Sequence, residues 1–506
     1  MNIYIRSTLI THCFFLCFIV AIAQKKVYNI NNYGAKTDGV YDNKNSLQRA
    51  IDAAYTAGGG QVVIPDGYYL TGQIYLKSGV ELHLSDYAVL LGTTNRLDFN
   101  PKPTNGLINA SDQKNISITG KGTIDGRGRD LVVNLLQLLT DGKVQDKEWK
   151  TKRPGENNRP SIISFNSCAG VKITGVHIKD AAGWVQNYTN CTDMIIDDMH
   201  VESMAYWNND GIDLVDCKRV KLTNSSFNAA DDAICLKSEQ VNRSCEDIEV
   251  ENCILRSSAS GLKLGTGSFG AFRRIKVRNL TVYNTYRSAI ALESVDGAVI
   301  EDVDIRGVNV KNSGNTFFIR LGHRNTDDRF SIIRRIRIAD VKAEIPSGKP
   351  DIGYPVEGPP PKVAAHNLVP SSIIGIPGHP VQNVTLENIE ISYGGGAHKE
   401  VANVPVDQLA SVTENISGYP EFTMFGELPA WGVYVRHADG IVLNNVTLSV
   451  KEADFRPACV FDDLKTVKLN KVLVADGNRP AIILHNVEQP SFNQINNQEN
   501  TVHIQQ

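Results

Sequence analysis

The chain lacks a charge excess of either sign. Fifty-two Lys and Arg stand against 55 Asp and Glu, a formal charge of −3 over 506 residues, so nothing draws it to nucleic acid. It lacks an apolar run long enough to span a membrane, since the run within residues 1–23 is too short. It lacks a Cys-x-x-Cys pair, and no His flanks Cys168, Cys191, Cys217 or Cys245, so no metal-ligand set is expected there. No Lys-Ser/Thr follows Gly58-Gly59-Gly60, which excludes a phosphate loop. Helical periodicity is nearly missing, and so is the leucine and asparagine consensus of leucine-rich repeats.

What is present is repetition. Short alternating segments begin at Val171, Met194, Val220, Ile248 and Ile275, with further copies at Val384, Val442 and Val467. A period in the twenties signals a solenoid, because one such unit cannot bury its own apolar face. The units are rich in Val, Ile, Thr, Asn and Gly, which predicts parallel β-coils. Two columns support that register. Cys168, Cys191, Cys217 and Cys245 each fall three residues before a repeated strand, and Asn224, Asn252 and Asn279 each fall four residues after its start. Stacked coils bring equivalent residues about 4.8 Å apart. The cysteines then form a small apolar interior column and the asparagines a hydrogen-bonded ladder.

Residues 1–23 read as a secretory signal. Arg6 precedes an apolar run through Phe14, Phe15 and Ile19, and Ala21-Ile22-Ala23 stands before Gln24. The mature chain, residues 24–506, is expected to be a single catalytic domain in the periplasm or outside the cell. Seven of its nine cysteines remain after cleavage, and the column argument makes them mostly free, buried thiols. Residues 45–57 carry Leu47, Ala50, Ile51 and Ala54 at helical spacing. That segment is expected to cap the open end of the coil, which would otherwise expose an edge. Inserted loops near 127–160 and 347–380 are expected to wall a binding groove.

Two acidic stations lie one repeat apart. They are Asn208-Asn209-Asp210-Gly211-Ile212-Asp213 and Ala230-Asp231-Asp232-Ala233-Ile234. The step from Asp210 to Asp231 fits one turn of a β-coil, so the second station should lie over the first. Carboxylates that close are costly unless one holds a proton. A carboxylate cluster with split pKa values is what glycosidic bond hydrolysis needs.

At Asn209-x-Gly211-x-Asp213 and Asp231-Asp232 the chain resembles glycoside hydrolase family 28, the polygalacturonase-like enzymes. Tyr33-Gly34-Ala35, Asp38-Gly39, Gly59-Gly60-Gln61-Val62-Val63, Pro65-x-Gly67-x-Tyr69 and Leu76-Lys77-Ser78 are similar too. The resemblance implies an all-β, right-handed parallel β-helix with an amino-terminal cap helix, and hydrolysis with inversion. It also implies Asp231 as the acid, with Asp210 and Asp232 activating water.

The chain departs from that family's polygalacturonases at two motifs. Ser260 stands where Gly-His-Gly has its His, and Ala291-Leu292-Glu293 where Arg-Ile-Lys grips a uronate. A carboxylate there would meet Glu293, so plain polygalacturonan is not the expected substrate. If Leu262, Leu264, Ile290 and Leu292 point inward, alternation sends Lys237, Lys263, Glu293 and Arg320 outward onto the groove. These four, with Asn209, Asp213 and Trp207, are the expected substrate-binding set. The alternative for the charged ones is a surface ladder that only stabilises the stack, and for Trp207 and Tyr206 a place in the core. His437, in Tyr434-Val435-Arg436-His437, is many coils away.

The expected function is a secreted, inverting glycoside hydrolase acting on a pectin-type or related acidic polysaccharide. It needs no cofactor or metal and works as a monomer on its polysaccharide or oligosaccharide substrate. One alternative is a polysaccharide lyase or epimerase on the same fold, with calcium on the three Asp and Lys263 as base. Another is a carbohydrate-binding β-helix without catalysis.

Overall fold

The computed structural model describes residues 25–101, 105–348, 350, 369–400, 404–475, 480–496 and 502–505. The expected signal, residues 1–23, and most of the expected loop at 347–380 lie outside them. The strands pair in parallel from coil to coil and form a right-handed parallel β-helix. The repeated segments stack as expected: Val171, Met194, Val220, Ile248, Ile275 and Val303 are successive partners in one sheet. Their side chains, with Ile173, Ile196, Leu222, Val250 and Val277, fill the interior. Each coil buries its apolar face only against its neighbours.

Both columns are present. Cys168, Cys191, Cys217 and Cys245 follow the register of that sheet, and all seven cysteines among the described residues are free and buried. Cys217 and Cys245 donate their thiols to the carbonyls of Tyr188 and Leu214 at 3.1 Å. Asn252 Nδ2 donates to Asn224 Oδ1 at 3.0 Å, and Asn279 Nδ2 to Asn252 Oδ1 at 3.1 Å. The three asparagines have φ of 52°, 55° and 54°. The turn between sheets needs a left-handed residue in every coil, and Asn tolerates that conformation better than other non-glycine residues.

The helix α1, Lys44–Thr56, buries Leu47, Ala50, Ile51 and Ala54. It packs on the strands Val27–Asn29 and Gly60–Ile64 and covers the first coil. The sequence reading missed a second helix, α2, at Gly128–Thr140 in the first inserted loop. Its buried Leu131, Val132, Leu135, Leu138 and Leu139 show the one-face spacing that should have revealed it.

Replacing Asn252 with Val should cost about 1–2 kcal/mol for the left-handed backbone alone. Asn252→Gly should recover most of that part. Denaturant midpoints of the two variants check the difference.

Candidate active site

One sheet carries the site. Its successive strands include Ile212–Val215, Ile234–Ser238 and Leu262–Ser268, followed by the end of Ala271–Ser294. Ile212 pairs with Ile234 and Asp213 with Cys235, and Cys235 pairs with Lys263. The offset is thus one residue longer than the Asp210–Asp231 step. By that offset Asp232 follows Asp210, while Asn209 bridges to Ala230. Gly211 N donates to Asp232 O at 2.9 Å, which locks this register.

Five carboxyls gather here rather than three, and three cations face them. Lys237 Nζ donates to Asp210 Oδ2 at 3.3 Å and, at short range, to Asp213 Oδ1. It also lies 4.0 Å from the centre of the Trp184 ring. Lys263 Nζ is 3.0 Å from Asp232 Oδ2, 3.6 Å from Glu293 Oε2 and 3.4 Å from Tyr419 Oη. Arg287 acts electrostatically on Asp231 and Asp232. Asp231 has no lysine partner. Its Oδ2 accepts from Asn208 Nδ2 at 3.1 Å, and its Oδ1 from the backbone N–H of Asp232 at 3.0 Å.

The two adjacent aspartates are driven apart in acidity. Burial raises Asp231, and the anion Asp232 raises it further. Burial also acts on Asp232, but Lys263, Arg287 and Lys237 outweigh it and hold that carboxyl below its usual range. Ser260, which replaces the motif His, gives its backbone N–H to Asp232 Oδ1 at 3.0 Å and adds to that effect. Burial and Asp213 push Asp210 up against the pull of Lys237. Burial lifts Asp213 to about 6, opposed by Lys237, and Glu293 to about 7, opposed by Lys263. The cluster is one coupled titrating unit that keeps Asp232 ionised and holds its protons elsewhere.

Several expected substrate contacts are corrected. Alternation does turn Lys237, Lys263, Glu293 and Arg320 out of the coil, but other chain segments cover them. Arg320 is fully buried and donates to the carbonyls of Gly375, Glu414 and Asn415 at 2.8 to 3.1 Å, so it holds loops together and is spent. Asn209 is also spent. Its Oδ1 accepts from Ser203 Oγ, Ala205 N and Tyr206 N, and its Nδ2 donates to the carbonyls of Ala181 and Gly183. Asp213 is buried against Lys237 and positions that lysine rather than a sugar. Glu293 is buried against Lys263, so it does not stand free on a groove wall. His437 binds Asp463 and Glu414 in a separate ionic cluster.

Trp207, next to Asn208, is partly buried, with the Arg153 guanidinium 4.7 Å from its ring centre. The first inserted loop does reach the site. Arg159 donates to Trp207 O at 2.5 Å and to Asn208 Oδ1 at 2.7 Å, which aims the Asn208 amide at Asp231. Asn208 stood inside the first station and was readable there. Arg159, Arg287, Trp184 and Tyr419 carried no such signal.

Asp210, Asp232 and Cys235 have ligand atoms within 4.8 Å of one another. The donor set suits a divalent cation poorly. Burial keeps the Cys235 thiol protonated, and lysine ammoniums already sit on both carboxylates.

A parallel β-helix with paired carboxyls of opposed acidity has the arrangement that glycosidic bond hydrolysis requires. The profile of glycosyl hydrolases family 28 matches residues 56–344, and the chain belongs to that family. The exo-poly-alpha-D-galacturonosidase of Dickeya chrysanthemi is 28% identical over 42% of this chain. The matched stretch is also 42% of that relative's own length. An exopolygalacturonase of Thermotoga maritima shares the fold with a TM-score of 0.59, at 23% identity over 73% of this chain and 87% of its own. A family 28 exopolygalacturonase of Yersinia enterocolitica does so with a TM-score of 0.52, at 19% identity over 95% of this chain and 78% of its own. No helix among the described residues is long and apolar enough to cross a membrane.

Glu293 generates a test by pH. Its folded pKa of about 7 lies above the ordinary 4.5, so the native state binds the proton more tightly than the unfolded chain. The stability it contributes is full below about pH 4.5 and is lost as pH rises through about 7. Glu293→Gln should flatten that decline, as read from thermal unfolding between pH 5 and 8. An unchanged slope would show that Glu293 does not hold the proton.

Proposed function

We propose that this protein is a secreted, single-domain, inverting glycoside hydrolase acting on a pectin-type polysaccharide. The observation that carries the reading is the opposed acidity of Asp231 and Asp232. Asp231 delivers its proton to the leaving glycosidic oxygen. Asp232, kept ionised by Lys263, takes a proton from the attacking water, and Asp210 helps to hold that water. The remaining carboxyls and lysines set the charge balance that makes this division stable. The partly buried ring of Trp207 offers a face against which a sugar can lie.

The lyase alternative asks Lys263 to act as base. Asp232 and Glu293 raise the pKa of its ammonium despite burial, which is the wrong direction for proton abstraction. A merely binding β-helix would have no use for carboxyls held in opposite states.

The preferred substrate is a backbone with a neutral sugar on one side of the cleaved bond, such as rhamnose in a mixed pectin, rather than plain polygalacturonan. The reason is the loss of cations at Ala291 and Glu293. Repulsion by Glu293 is the weaker part of that argument, because Lys263 covers its carboxyl.

Asp231→Asn should lower turnover by about 10²–10⁴-fold while leaving the fold intact. The measurement is reducing-sugar release from a rhamnose-containing backbone and from polygalacturonic acid. Near-normal activity of the variant would refute the assignment, and products absorbing as unsaturated uronates would establish a lyase. Brisk cleavage of polygalacturonic acid by the wild type would overturn the preference.

A further inference from the structure

Three cations act most strongly on Asp231: Arg287, then Lys263 and Lys237. Two of them are closed off. The Lys237 side chain is 9% exposed and bonded to Asp210 and Asp213. The Lys263 side chain is 3% exposed and held by Asp232, Glu293 and Tyr419. Arg287 differs. Its side chain is 28% exposed, and its Nε, although buried, has no hydrogen-bond partner among the described residues. Its nearest ion-pair partner is Glu421, whose Oε2 lies 3.8 Å away, beyond hydrogen-bond reach. That carboxylate is itself 30% exposed, and its other oxygen accepts from Thr423 Oγ1. Arg287 N donates to Ala259 O at 2.8 Å, one residue from Ser260, whose N–H binds Asp232; a part-exposed guanidinium there with an unpartnered Nε is suited to a carboxylate ligand.

We propose that Arg287 binds the carboxylate of a uronate residue flanking the scissile bond, at a position distinct from Ala291-Leu292-Glu293, where the motif cations are missing. It stands on the same strand as that motif position, on the segment that leads into Ile290. The inference rests on the hydrolase reading for the identity of the scissile bond. Binding there has a second consequence. An incoming carboxylate neutralises Arg287, whose charge pulls the proton off Asp231, so the substrate's own acid group helps to keep the general acid protonated. Glu421 must turn aside as the ligand arrives, and its distance from Arg287 leaves it free to do so.

The test compares wild type, Arg287→Gln and Arg287→Lys on a rhamnose–galacturonate oligosaccharide and on the same oligosaccharide with its carboxyls reduced to alcohols. The readout is the ratio of kcat/KM between the two substrates. Arg287→Gln should lower that ratio roughly tenfold to a hundredfold, as expected for a hydrogen-bonded charge pair. The loss should fall mainly on KM, with Arg287→Lys intermediate. Equal losses on both substrates, with a moved alkaline limb of the pH profile, would show that Arg287 only tunes Asp231 and would overturn the proposal. Calorimetric binding of the acidic oligosaccharide to Asp231→Asn, with and without Arg287→Gln, decides the matter without turnover. Undiminished binding in the double variant would sink the uronate assignment. Absence of hydrolysis by the wild type would sink the hydrolase reading and leave the binding result to judge Arg287.

Discussion

Two ammonium groups held under cover keep the carboxyl cluster in one place. Asp210, Asp213, Asp232 and Glu293 are all buried, and buried carboxylates are tolerated only when paired. Lys237 lies between the first two, and Lys263 between the last two. The lysines come from neighbouring strands of the same sheet, so anion and cation alternate along the stack. Asp231 stands outside that alternation. Its partners are the Asn208 amide and a backbone N–H, neither of which carries charge. The same ionic column that holds Asp232 below its usual range therefore leaves Asp231 without a lysine partner, and burial with the neighbouring Asp232 raises it.

That column depends on coil length. Parallel pairing places Ile212 against Ile234 and Leu236 against Leu264, and side chains alternate faces along each strand. A slip of one residue in either coil would turn Lys237 or Lys263 into the apolar interior and strand its carboxylates. The turn columns guard against this. The Asn ladder and the left-handed residue in each coil set where every strand begins, in the same coils that carry the site. The link between fold and chemistry is thus the register itself.

Much of this was legible because it is local and periodic. Strand alternation, the coil period, the Cys and Asn columns, the cap helix and the paired acidic stations all lie in short spans of sequence. Cover was not legible. Alternation gave the direction of Lys263 and Arg320 correctly, yet Tyr419 reaches Lys263 across 156 residues and Glu414 meets Arg320 across 94. Nothing near a strand says which distant loop will fold over it. The α2 helix is a different failure, since its leucines show the right spacing and lay inside a segment read only as a loop. Asn209 shows a third kind. A motif residue beside the acid was read as a sugar contact, whereas all its hydrogen bonds go to shaping the loop that presents Asp210.

Counting charges in a motif is therefore a poor guide to specificity, because only charges that a substrate can reach contribute. Glu293 brings an anion to the motif, but it is buried beside Lys263 and half-titrated near neutral pH. The two lysines that make the site look cationic are internal to the cluster. That leaves Arg287 as the cation near Asp231 with free donors, enough to hold one carboxylate beside the cleaved bond. A uniform polyuronate would bring a second carboxylate, and the motif cations that would meet it are gone. A backbone alternating uronate with neutral sugar presents one carboxylate to Arg287 and no second one that would need a cation, which is the charge pattern this groove can satisfy.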